Sequence, residues 1–257
     1  MRKLSAAIAA IMLAALAGSA TRADPLARYR AGDYELAVAE GTKANTAFGY
    51  AVAARAVLAE GMMRSPCLEC LTRAADLARR SIAIDPKQAD AHVFLAVAIG
   101  YQARIVGTLR ARLNSYPEEA KRQIDAALQS DPRNALALAA LGGWNIQIVR
   151  DGGAILARWL YGATLAEGFK AFAAAFDAAP GNVTLRYQFA LSLGGFDAKT
   201  YRSQVRDALS RAANGRPQTA YEKFAQARAN ELLDALNKDD GARFDRLIRR
   251  DQGYPGY

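Results

Sequence analysis

One histidine and two cysteines among 257 residues leave little for catalysis or metal binding to use. A zinc site built on imidazole and thiolate takes four ligands, and His92, Cys67 and Cys70 fall short of that. His92 is also the only imidazole available as a general base. No H-E-x-x-H, G-x-S-x-G, P-loop or G-x-G-x-x-G string occurs. The adjacent carboxylates Glu118-Glu119 and Asp239-Asp240 would point in different directions on a helix, so they read as caps or solvated charge. The expectation is a protein that is not an enzyme and carries no metal and no cofactor. An enzyme using carboxylates alone is the alternative left open.

Long apolar runs are equally scarce. The one near the start, residues 6–17, follows Arg2 and Lys3 and precedes small residues. This is the pattern of an export signal with cleavage after Ala20 or Ala23. Such a run is too short to cross a bilayer, which takes roughly 20 residues, and no cysteine stands nearby to carry a lipid. The expected organisation is a signal peptide over 1–23, a helical domain over 24–237 and a C-terminal tail over 238–257, disordered at its end. The expected location is periplasmic or secreted, and the cleaved protein is not an integral membrane protein.

Charge of one sign is not concentrated anywhere. Lys and Arg number 34 against 25 Asp and Glu, a formal net charge of +9, but acidic residues stand between the arginines throughout. A nucleic-acid binder gathers its charge into a patch or stripe, so no nucleic acid is expected. An acidic partner would still be favoured by the overall field.

Cys67 and Cys70 form C-x-x-C after Pro66. They could close a short disulfide at a helix start or remain free thiols. A redox pair of this spacing normally follows a strand, and none is evident upstream. Haem attachment needs histidine at position 71, which is leucine.

What the chain has in quantity is helical periodicity. Residues 74–84, 89–104, 118–129, 135–149, 166–178, 183–193, 198–213 and 217–237 carry apolar residues at helical spacing, and period-two alternation is missing. The predicted class is all-α. Breaks fall at Asp85-Pro86, Asp131-Pro132 and Pro180-Gly181-Asn182, and they are themselves registered. Nine residues after the prolines stand Leu95, Leu141 and Phe189, each followed by a small residue (Ala96, Gly142, Ala190). Twelve residues before the second and third prolines stand Ala120 and Gly168, and eight before stand Ile124 and Phe172.

This register resembles the tetratricopeptide family, in which a small residue marks the close crossing of two antiparallel helices and a bulky one packs beside it. The stretch from Ala31 through Gly32, Asp33 and Tyr34 to Ala37 resembles the family's interhelical turn. The resemblance implies a superhelical solenoid of antiparallel helix pairs. An ordinary repeat of this family has 34 residues, so these repeats are lengthened, with the extra residues falling at 105–117 and 151–165. The two insertions look alike: Gly107, Ala111 and Arg112 align with Gly153, Ala157 and Arg158. They are expected to extend the helices or to form a short extra one.

A second resemblance rests on Leu141-Gly142-Gly143-Trp144, on Ala157-Arg158-Trp159-Leu160-Tyr161-Gly162 and on the stretch from Glu167 to Phe176. Over roughly residues 85–195 the chain is similar to the repeat domain of the regulator of microtubule dynamics family, which implies a repeat fold. More loosely, in size, export signal and helical repeats, it resembles the periplasmic T component of TRAP transporters. Those proteins are usually lipid-anchored, and the cysteine for an anchor is lacking here.

First helices of stacked hairpins line a concave face. The register places Val93, Val97, Tyr101, Ala139, Gly143, Gln147, Tyr187 and Leu191 there, an apolar and aromatic surface suited to a protein or peptide partner or a small amphipathic ligand. Protein interaction through this groove is the predicted function, with a ligand-handling transporter accessory as the alternative. Trp159, Leu160 and Tyr161 are bulky enough to fill the groove instead, and Trp144 and Trp159 are expected in the core. His92 falls where the repeat carries a packing aromatic.

Overall fold

Asparagine and threonine start five of the helices, and the residues just before Pro86, Pro132 and Pro180 end three of them. Thr46, Asn134, Thr164, Asn182 and Thr219 each cap a helix by accepting a backbone N–H three residues on, which satisfies one of the donors a helix start leaves unpaired. The computed structural model describes residues 24–256, and among them are thirteen helices and no strand. They are α1 (Pro25–Ala31), α2 (Tyr34–Ala44), α3 (Ala47–Met63), α4 (Leu68–Ile84), α5 (Ala89–Val106), α6 (Thr108–Leu113), α7 (Tyr116–Ser130), α8 (Ala135–Tyr161), α9 (Leu165–Ala178), α10 (Val183–Asp197), α11 (Arg202–Ala213), α12 (Ala220–Asn237) and α13 (Gly241–Asp251). None is long and apolar enough to cross a membrane.

Apart from the short α6, each helix packs on its neighbours in the chain: α2 on α3, α3 on α4, α5 on α7, α8 on α9, α10 on α11 and α11 on α12. The architecture is an all-α helical-repeat solenoid. Its ends meet, because α12 also touches α1 and α3. Gly32 permits this contact. It ends α1 in the left-handed conformation (φ 94°), and a Cβ there would stand 2.8 Å from that of Ala220.

The registered small and bulky residues meet at the α8–α9 crossing. A Cβ on Gly142 would lie 2.5 Å from the Phe172 ring, and one on Gly168 would lie 3.2 Å from the Gly142 carbonyl. Phe172 itself is buried. Glycine at these positions is what lets the two backbones approach.

The two insertions share a local structure. In the first, Gly107 (φ 85°, ψ 158°) separates α5 from α6. In the second, Gly153 (φ 73°, ψ 158°) kinks α8, which continues to Tyr161. Only glycine occupies that region without strain. Gly153→Ala should therefore cost about 1–3 kcal/mol, read as a fall in thermal midpoint by circular dichroism. Gly107→Ala should do the same, and two unshifted midpoints would mean the kinks are not fixed by the fold.

The residues after 237, expected to form a tail disordered at its end, are largely helical. Phe244 and Ile248 put α13 into the core beside α10 and α12. Gly194 supplies the seat, since a Cβ there would stand 2.7 Å from Ile248 Cδ1. Gln252 is buried and donates from Nε2 to the Leu191 carbonyl at 2.8 Å. The repeat pattern has faded here, so only this nonlocal packing places the segment.

Candidate functional site

A cavity of about 320 Å³ lies between α3, α5, α8 and α10. Val93, Val97 and Tyr101 of α5 line it, as do Ala139, Gly143 and Gln147 of α8. Tyr187 and Leu191, expected beside them, are fully buried in the core. The reason is that α12 and α13 pack against α10, so the side of α10 that would have faced an open groove is covered. Thr184, Gln188 and Ser192 face the cavity instead.

The insertions do not fill the groove. Trp159 is 80% exposed and Leu160 50%, which corrects both the filling role and the core placement of Trp159. Tyr161 does reach the cavity wall, where its ring meets Trp144 edge-on at 6.2 Å. Trp144 is partly buried and donates from Nε1 to the Pro117 carbonyl at 2.9 Å. His92 is buried, with its ring nitrogens held by Gln123 at 2.6 Å and by the Pro86 carbonyl at 2.9 Å.

Charge in the cavity wall is one-sided. Arg55, Arg104 and Arg112 line it, against Asp151 as its carboxylate. Arg55 lies over the Tyr29 ring at 4.3 Å and Arg104 over Tyr101 at 4.8 Å, both within cation–π range. Among the described residues none of the three arginines is in an ion pair within 4.0 Å. The buried Nε of Arg104 has no hydrogen-bond partner, a costly state for a charged group's donor. Burial pushes the Tyr29 hydroxyl above the usual tyrosine range, opposed by Arg55 beside it, so Tyr29 stays a neutral side chain in the wall.

The end of the chain closes one side of the cavity. Arg104 Nη1 donates to the Gln252 carbonyl at 3.0 Å, and Arg150 Nη1 donates to Gln252 Oε1 at 3.1 Å. Gly253 adopts φ 76°, and a Cβ there would stand 2.9 Å from the Tyr101 ring and 3.1 Å from Pro66. Tyr254 then lies beneath Arg150, 5.3 Å from guanidinium to ring centre, and lines the cavity. Pro66 is positioned by the adjoining turn, where Cys67 and Cys70 are joined across the first turn of α4 with Cα atoms 5.3 Å apart. Among the described residues no group of three or more His, Cys, Asp or Glu side chains is placed to hold a metal.

Residues 36–237 match the family model described as Regulator of microtubule dynamics protein 1-3. The chain belongs to that family. The match extends well beyond residues 85–195 and takes in α3, where Arg55 stands. No curated protein matches the chain in sequence. Membership overturns the periplasmic or secreted location expected from the N-terminus, because microtubules are filaments of the cell interior. The match shows nothing of a transporter accessory. The signal-peptide reading lies on residues 1–23, outside the described residues.

Proposed function

We propose that this family member is a non-catalytic binding protein whose central cavity holds a small amphipathic molecule with an acidic group. The observation that carries the reading is the apolar, aromatic wall interrupted by arginines with no ion-pair partner. An apolar body would take the place of water against Val93, Val97 and Leu136, and the acidic group would meet the arginine part of the wall, at Arg104 and Arg112. The volume stands at the lower end of small-molecule sites, roughly 300–1,000 Å³.

A peptide partner is the second reading, and one observation favours it. The chain's own Gln252 to Tyr254 lie along the groove and are held through a backbone carbonyl and side-chain bonds, as a bound peptide would be.

Titration with anilinonaphthalene sulfonate, an anionic aromatic probe, tests the first reading. One saturable site is expected, weakened about tenfold in Arg104→Ala by loss of a charged hydrogen bond. Unsaturable binding, or binding indifferent to Arg104, would overturn it. A chain shortened after Asp251 that captures a peptide of its own last residues, while the probe competes poorly, would move the assignment to the peptide.

A further inference from the structure

The two insertions expose large apolar residues and bury the aligned alanines Ala111 and Ala157. Leu109 and Leu113 of α6 are 73% and 76% exposed, and Ile155 and Trp159 of α8 are 89% and 80% exposed. These are the residues that the aligned glycines Gly107 and Gly153 bring into register: Leu109 corresponds to Ile155 and Leu113 to Trp159. Each pair is spaced four apart, on one side of its helix. The aligned alanines Ala111 and Ala157 face inward and are buried at 5% and 1% exposure. An insertion that served only to stabilise the solenoid would be oriented the other way.

Equivalent insertions in successive repeats are expected on one face of a solenoid. Arg112 of α6 reaches the second insertion, where a Cβ on Gly152 would stand 3.3 Å from its Nη2. The charges of these segments are mostly positive: residues 105–117 contain Arg110 and Arg112 and no Asp or Glu, and residues 151–165 contain Arg158 and, at their start, Asp151. Exposed leucine, isoleucine and tryptophan beside arginines is the composition that settles into the headgroup region of an acidic bilayer.

We propose that α6 and the end of α8 form a docking surface for an anionic lipid bilayer, with Leu113 and Trp159 entering the interface and Arg110 and Arg158 meeting the headgroups. The surface lies outside the cavity and does not depend on what the cavity binds.

The test is binding of the full chain to vesicles of phosphatidylcholine with and without phosphatidylserine, followed by flotation and by tryptophan emission. Phosphatidylserine vesicles are expected to bind the chain and shift its emission to the blue, with the shift absent in Trp159→Phe. Leu113→Ala with Trp159→Ala should weaken binding about tenfold or more, from the apolar area no longer buried. Arg110→Glu with Arg158→Glu should weaken it comparably, from lost attraction to the anionic surface. Gly143→Phe, which fills the cavity, should bind vesicles as the natural chain does, so failure of the cavity reading would be distinguishable. Flotation without a change at Trp159 would place the attachment elsewhere and overturn the proposal. So would wild-type binding by the Leu113 and Trp159 variant. A dimer in sedimentation velocity that Trp159→Ala dissociates, with no vesicle binding, would give the patch to a second copy.

Discussion

Phe172→Ala should lower the thermal midpoint by about 10 °C. Deleting a buried phenylalanine ring costs roughly 3–5 kcal/mol, transfer and cavity together, and each kcal/mol moves the midpoint of a chain this size by about 2–4 °C. The upper part of the range is expected here because the ring is enclosed by several rings. Phe189 lies 4.9 Å and Phe176 6.1 Å away between ring centres, and neither can move into the vacated space without leaving its own contacts. On the other side the Gly142 backbone cannot follow, being held in α8.

The same geometry predicts the sign of a coupling. Gly142→Ala alone should destabilise, because its methyl would meet the ring at 2.5 Å and one of two helices must give way. Paired with Phe172→Leu, it should cost less than the two single changes added together, since a smaller knob leaves room for the methyl. Circular dichroism melts of the four proteins provide the cycle. Additive costs, or a loss for Phe172→Ala near 1 kcal/mol, would mean that the helices do not cross tightly at these residues.

Gly142 and Phe172 were legible in sequence because both sit at fixed distances from a proline, and local chemistry fixes where helices end. The same holds for the caps at Asn134 and Asn182 and for the repeated glycines at 107 and 153. The groove positions on α5 and α8 follow from helical spacing once those ends are known. Arg104 could have been found by the same step, since it lies three residues beyond Tyr101 on one side of α5. Tyr187 and Leu191 could not be placed this way, because their burial is decided by α12 and α13, distant in sequence. Tyr254 is the converse: nothing local distinguishes Tyr-Pro-Gly-Tyr at a chain end from a solvated tail, and only distant contacts seat it, with Gln147, Arg150 and, through Gly253, Tyr101. The location was misread for a related reason. A basic start, an apolar run and small residues form a purely local pattern, whereas the family is defined by residues 36–237 taken together.

Gly143→Phe should abolish probe binding while leaving the protein as stable as before or more so. Gly143 stands in the cavity wall with its nearest neighbour, Ser192 Oγ, 3.7 Å from where a Cβ would be. That is ordinary contact, so a side chain can leave the helix without disturbing α10. Beyond that point lies the cavity of about 320 Å³, much of which a phenyl ring would occupy against Val97 and Leu136. Cavity filling and the replacement of a helical glycine both favour the folded state, by about 0.5–2 kcal/mol where strain is small. A ligand competing for the same volume would meet a steric barrier, and affinity for anilinonaphthalene sulfonate should fall by more than about tenfold, the equivalent of 1.4 kcal/mol. The two readouts separate the explanations. Lost binding in a stabilised protein places the probe inside the cavity. Retained binding in a stabilised protein would mean that the ring has filled a space the probe never used, and the proposed function would fail. Destabilisation with lost binding would leave Arg104→Ala as the deciding variant, because it removes a charge from the wall without adding volume.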